Sequence, residues 1–375
     1  MSTSEELSIT TVKSKSELKK FIKFPWKIYK DNFYWVPHLI FERKFLLDKN
    51  KNPFFKHSEA EFFLAYKNGE IVGRIAAIIN HNHNLEHNEN IGFFGFFECV
   101  DDQNIANSLF DAAKKWLNEK GISIIRGPAN PSVNDEYGLL IEGFDKSPVV
   151  MMPYNPPYYQ LLIEKAGLQK IKDLYAYYLN HDIFDKEKIE RVINLVQKRN
   201  RVSVRTINMK DFDQEVKIIE KIYNEAWQYN WGAVKMTEDE FNALAKSLKS
   251  IVDPELVLIA EVDQKPVGFA LSLPDINIIL KHNKNGWLIP AIWKLIKNKK
   301  QIDGIRIIAL GVLKEYQKTG VAGFLFYETA VRALKHGYKW GEAGWVLEDN
   351  IMMTRSAEMM NAILYKKYRI YQQNF

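Results

Sequence analysis

The chain has 375 residues and one cysteine, Cys99, so no internal disulfide can form and a reducing compartment is expected. No apolar stretch reaches the roughly 20 residues that a membrane-spanning helix requires. The opening "MSTSEELSITTVKSKSELKK" has no apolar core of the kind a secretory leader carries. Charge of one sign is scarce too: 52 basic against 46 acidic residues give a formal net charge of +6. That excess suits anionic ligands or a membrane surface, but it falls short of a nucleic-acid footprint, and no nucleic acid is expected as partner. These absences place the chain in the cytoplasm, either free or peripheral to the inner face of the membrane. Three histidines, His81, His83 and His87, invite a metal, but "NHNHNLEHNEN" (80–90) is rich in Asn and lies between two strands. It reads as a solvated loop, and no metal site is expected.

What is present is a core-forming composition, 46% hydrophobic and 13% aromatic, with strand-like and helix-like runs alternating throughout. That alternation predicts an α/β (α+β) architecture. "EFFLAYKNGEIVGRIAAIIN" (61–80) reads as a hairpin turning at Asn68-Gly69, and "ANSLFDAAKKWLNEKG" (106–121) as an amphipathic helix stopped by Gly121. The order then recurs. Val267-Gly268 repeats Val72-Gly73 (267 − 72 = 195), and Asn350 repeats Asn155 (350 − 155 = 195). A shared offset predicts a duplicated domain, with an insertion at 274–304 in the second copy and a longer segment at 126–150 in the first. The basic stretch "VQKRNRVSVR" (196–205) marks the boundary, giving domains 1–195 and 201–375.

Within the second copy, "EYQKTGVAGFLFYETA" (315–330) follows a β-type run and opens an apolar-periodic helix. Helix N-termini carry unpaired N–H groups and a partial positive charge. Small residues at Gly320 and Ala322 would let an anion reach those amides. The spacing of Gln317, Gly320 and Ala322 resembles the pyrophosphate-cradling motif of the GNAT superfamily of acyl-CoA-dependent N-acyltransferases, and the order of elements over 201–375 is similar to that fold. The first copy reads "DDQNIANS" at the matching place, where Asp101 and Asp102 would repel a pyrophosphate. It is therefore expected to be a degenerate copy without an intact cradle. "RGPANPSVNDEYGLLIEGF", "MMPYNPPYYQLLIEKAGL", "WQYNWGAVKMTEDEF" and "VLEDNIMM" together resemble the tandem-domain bacterial ceramide synthase-like family.

The resemblance implies two tandem GNAT-like domains, each a twisted mixed sheet flanked by helices. It implies acyl-CoA as co-substrate with no permanently bound cofactor, and an amine acceptor of the sphingoid type that attacks the thioester directly. Other readings are an N-acetyltransferase acting on a small or peptidyl amine, and a non-catalytic acyl-CoA-binding protein. Coenzyme contacts are implied for Gly311, Val312 and Leu313, for Gln317, Lys318, Thr319, Gly320, Val321 and Ala322, and for Asn350. Glu342, Glu348 and Asp349 lie near the site strands, with Glu348 the first choice as base; the alternative for each is a surface charge or helix cap. The superfamily often carries a Tyr on the last helix as general acid. Met359 and Met360 stand there instead, and the first Tyr is Tyr365. In "NPSVNDEYG" (130–138), Asn134, Glu136 and Tyr137 are either catalytic groups for the acceptor amine or members of an Asx-type turn network. Trp227, Tyr229 and Trp231 either line an acceptor channel or pack the domain interface. In the insertion, Leu288, Ile289, Ile292, Trp293, Leu295 and Ile296 share one helical arc with lysines opposite. This is the pattern of a helix making peripheral membrane contact through 287–300, or of one covering the core as a lid.

Overall fold

The computed structural model describes residues 7–184, 190–191, 201–228 and 230–375. Two compact units emerge. Unit 1 holds residues 1–173, 280–294 and 367–375, and unit 2 holds 174–279 and 295–366. The division is not a single cut in the chain, as the sequence reading had it between 195 and 201. Most of that boundary region, 192–200, lies outside the described residues.

Unit 1 begins with β1 (Leu7–Thr11), α1 (Lys15–Lys23), α2 (Pro25–Ile28) and α3 (Ile40–Leu46), followed by β2 (Ser58–Lys67) and β3 (Glu70–Asn80). Next come α4 (His81–His87), β4 (Gly92–Cys99), α5 (Gln103–Glu119) and β5 (Ile124–Gly127). The short strands β6 (Ala129–Asn130), β7 (Glu136–Tyr137) and β8 (Leu139–Glu142) precede α6 (Tyr158–Lys165) and β9 (Gln169–Asn180). β1 to β4 form an antiparallel meander, β5 joins it in parallel, and residues 371–374 of the last strand, β15 (Ile363–Asn374), close it against β5. Helix α5 covers one face because Ile105, Leu109, Phe110, Ala113 and Leu117 recur at helical spacing, and all are buried.

The stretch 80–90 is not the solvated loop expected. Asn80 caps α4 by accepting from the His83 N–H (3.1 Å), and the buried His83 ring packs edge-on against Phe93. A short helix with one inward face leaves too weak a period to read among so many polar residues.

Unit 2 repeats the pattern with β10 (Val202–Thr206), α7 (Phe212–Trp227), α8 (Glu238–Leu248), β11 (Val257–Val262) and β12 (Lys265–Pro274). After the insertion, with α9 (Asn277–Leu280) and α10 (Leu288–Asn298), come β13 (Gly304–Val312), α11 (Val321–Lys335), β14 (Trp340–Leu347) and α12 (Ile351–Met359). Helices α7 and α8 bury Ile219, Ile222 and Phe241 on one face of the sheet, and α11 buries Val321, Phe324 and Leu325 on the other.

The offset of 195 survives as geometry. Asn68 and Gly69 turn the β2–β3 hairpin at positive φ (52° and 80°), and Asp263 and Gln264 turn β11–β12 the same way (47° and 65°). Gly73 is bare because a Cβ would lie 2.7 Å from Leu109 of α5; at Gly268 it would lie 3.3 Å from Leu325 of α11.

Candidate active site

In unit 2 the parallel strands β13 and β14 pair only from Gly304 with Trp340 to Ile307 with Ala343. β13 then runs on to Val312 and β14 to Leu347, so the two part toward their C-terminal ends. A register shift against β12 falls at the same level, between Leu271 and Ser272. Beyond it the Leu313 N–H donates to Val267 O (2.9 Å). Antiparallel alternation therefore turns Gly311 and Leu313 toward β12, and the backbone groups of Leu310 and Val312 toward the parted edge. The sequence had singled out Gly311, Val312 and Leu313; Leu310 was missed because orientation depends on where the register shifts.

At that same end of β13 helix α11 begins. Gly320 caps it in the left-handed region (φ 87°), with no side-chain cap. Among the described residues, no acceptor faces the N–H groups of Val321, Ala322 and Gly323, and a Cβ on Gly323 would meet open space. The Gln317 amide donates to Val312 O (3.3 Å), tying the loop to the parted strand, and the Thr319 hydroxyl donates to Tyr316 O (2.7 Å). Lys318 lies in the same loop, exposed to solvent. The result is an electropositive helix end beside an opened strand edge.

Trp227, at the end of α7, stacks on Tyr223 (4.6 Å between centroids) and lies against Phe269 and Gly311. Trp231 follows in the next turn, partly buried; Tyr229 lies outside the described residues. Glu348 stands just past the C-terminal end of β14, partly buried. Asn350 accepts from the Met353 N–H (3.1 Å) and caps α12. Glu342 is fully buried, hydrogen-bonded by the Tyr365 hydroxyl and 3.7 Å from the Lys366 ammonium. Tyr365 is thus engaged in a strand, away from the helix position where the superfamily often has its acid. An apolar cleft of about 760 Å³ runs between α11, α12 and the sheet. Its lining mixes large side chains such as Phe184, Phe326 and Trp340 with small ones such as Ala330, Gly341 and Ala343.

Unit 1 fills the same places. Its parallel pairing also stops early, after Phe93 with Arg126, but the Asn130 side chain then accepts from the Phe96 N–H (2.5 Å). Helix α5 is closed by its own carboxylate: Asp102 accepts from the Asn104 and Ile105 N–H groups at 2.9 and 3.4 Å. At the position matching Gly311 stands Glu98, buried, 3.4 Å from Arg74 and accepting from Tyr29 (2.9 Å) and Tyr159 (2.7 Å).

A polar cleft of about 550 Å³ in unit 1 is lined by His38, Arg43, Asn130 and Glu136 among others. Arg43 pairs with Glu136 and lies 2.7 Å from His38 Nδ1. Burial alone would raise the Glu136 pKa, but Arg43 and the Asn130 side chain hold the carboxyl below its ordinary range. Burial and the Arg43 charge push His38 down to about 3, so its ring is neutral. Neither His38 nor Arg43 was singled out in the sequence. Tyr137 is buried, which raises its pKa, and Asn134 belongs to a local turn in which its N–H donates to Ser132 Oγ (3.1 Å).

No family model matches the chain. It is 36% identical over 374 residues to Protein YghO of Escherichia coli (strain K12), covering 97% of this chain and 95% of that one. It is 35% identical over 386 residues to the bacterial ceramide synthase of Caulobacter vibrioides (strain NA1000 / CB15N), covering 99% and 98%. Its fold matches a tandem GNAT protein from the clavulanic acid biosynthesis pathway with a TM-score of 0.57 at 10% identity, over 98% of each chain. The chain belongs to the bacterial ceramide synthase-like family of tandem GNAT N-acyltransferases.

Proposed function

We propose that unit 2 binds acyl-CoA and that the acyl group passes to a long-chain amine of the sphingoid type. The observation that carries this reading is the parting of β13 and β14 beside the uncapped N-terminus of α11. The pyrophosphate sits on the amides of 320–323, with Gln317, Lys318 and Thr319 shaping the loop and Asn350 fixing the next helix. The pantetheine arm follows the backbone of 310–313, and an N–H on the parted edge polarises the thioester carbonyl. Glu348 takes a proton from the ammonium; the freed amine attacks the carbonyl carbon, the C–S bond breaks, and the departing thiolate takes up the second proton shed by the nitrogen, leaving amide and thiol. In this reading the apolar cleft of unit 2 is the candidate for the acyl chain, and Trp227 and Trp231 border the acceptor.

Unit 1 does not hold coenzyme in this reading, because Asp102 and Glu98 occupy the corresponding positions. Within unit 1 itself, Glu136, kept ionised by Arg43, offers a carboxylate suited to an ammonium group, with Asn134 and Tyr137 in the same segment. A lipid acceptor resides in a membrane, and the segment 287–300 supplies peripheral contact with it.

The test is mass spectrometry of products from the purified chain given acyl-CoA donors of graded length and a sphingoid base. An N-acylated long-chain base is the expected product. Its absence, with coenzyme binding intact, defeats the sphingoid reading, and turnover of small amines alone replaces it with transfer to a small acceptor.

A further inference from the structure

Large apolar side chains are exposed in three segments that the fold ties together. The Ile40 N–H donates to Gly286 O (2.9 Å), which sets Phe41 of α3 beside Trp287 at the entry to α10. The Trp26 indole donates to Lys284 O (2.7 Å), and the Lys281 ammonium lies 3.7 Å over the Phe33 ring. Phe33 is 71% exposed, Trp287 58%, Ile289 81% and Trp293 60%. Phe41 and Phe45, one helical turn apart on α3, are also exposed. Every residue named so far in this paragraph belongs to unit 1, and Ile296 continues the apolar stripe on the next turn of α10.

A cluster of this size on a folded chain marks an interaction surface. Its chemistry selects the partner. Trp and Phe with aliphatic neighbours suit the boundary between headgroups and acyl chains. The stretch 281–300 adds six lysines (281, 284, 294, 297, 299 and 300) and no acidic residue. Lysines in the same segment as an apolar stripe complement anionic headgroups.

We propose that this bipartite surface of unit 1, residues 287–294 together with Phe33, Phe41 and Phe45, docks in the headgroup layer of an anionic lipid bilayer. The inference rests on the membrane contact in the reading above and not on its acyl-transfer chemistry. The test uses the full chain without substrates. It is sedimented with phosphatidylcholine vesicles, with and without about a third phosphatidylglycerol. Binding to the anionic vesicles is expected, weakened roughly tenfold by molar salt or by omitting the anionic lipid. A Trp287→Ser/Trp293→Ser variant should also bind roughly tenfold more weakly, with its melting temperature and CoA affinity unchanged. Failure of the unaltered chain to bind either vesicle, or equal binding by the variant, overturns the proposal. Light scattering that shows a dimer which the variant loses, without vesicle binding, assigns the surface to a second copy and overturns it as well. Acylation of a soluble short amine, assayed in parallel, reports on the reaction independently of this surface.

Discussion

Trp227 occupies the space that a side chain at position 311 would need. A Cβ on Gly311 would lie 2.5 Å from the Trp227 ring and 2.9 Å from Phe269. Helix α7 can therefore press its last aromatic onto the strand whose edge is parted. Gly311→Ala should cost about 1–3 kcal/mol in denaturant unfolding, as overpacking does. It should also slow acyl transfer by displacing β13. Adding Trp227→Ala should restore part of the stability; an alanine accepted at 311 without loss would show that the contact is slack.

Gly323 offers a clean test of the cradle, because its Cβ would point into open space. Gly323→Glu should lower CoA affinity by more than roughly tenfold in calorimetry, since it puts a carboxylate beside amides that favour a phosphate. Its melting temperature should hold. Gly320→Glu is expected to lose binding too, but its φ of 87° adds strain of about 1–2 kcal/mol for any L side chain. The control is Asp102→Ala in unit 1. Loss of that cap should cost about 0.5–2 kcal/mol and leave CoA affinity unchanged.

Glu348→Gln keeps shape and removes the base. A fall in kcat/KM of roughly 10²–10⁴-fold, with coenzyme affinity retained, is the expected result. Activity within a few-fold of the unaltered chain would move the search to Glu136.

The His83 ring gives unit 1 a defined acid sensitivity. Burial, reinforced by the charges of His87 and Arg126, outweighs Glu89 and holds its pKa at about 4, against an ordinary value of 6.5. The unfolded chain therefore takes up a proton first. The stability contributed by the neutral ring is complete above pH 6.5 and is lost as the pH falls toward 4. His83→Gln should flatten the melting temperature across that window; an unchanged slope would place the acid sensitivity elsewhere. Glu136, whose carboxyl is depressed, adds a further loss at lower pH by the same sign.

Features built from neighbouring residues were legible in the sequence. The Asn68-Gly69 turn, the period of α5 and the glycine that starts α11 each express a backbone requirement met within a few positions. The repeat was legible because hairpin turns and bare glycines keep their spacing. The polar cleft of unit 1 was not, since Arg43 and Glu136 lie 93 residues apart and neither marks the other. Nor was the engagement of Tyr365 with Glu342, which depends on strand pairing rather than local pattern. The make-up of unit 1 likewise depends on pairing between distant segments. Residues 280–294 join it through bonds such as Ile40 to Gly286, and residues 367–375 through the ladder of Tyr371 with Gly127.

That ladder has a consequence for biosynthesis. Strand β5 emerges early, yet its partner residues, 371–374, appear only after the whole of unit 2's chain has been made. From Asp173 to Lys367 is 194 residues (367 − 173), which at about 5–20 residues per second is on the order of 10–40 s of translation. Throughout that interval the nascent N-terminal sheet carries an open, hydrogen-bond-hungry edge. Closure of unit 1's sheet therefore waits on the last residues to be synthesised, however fast either unit folds.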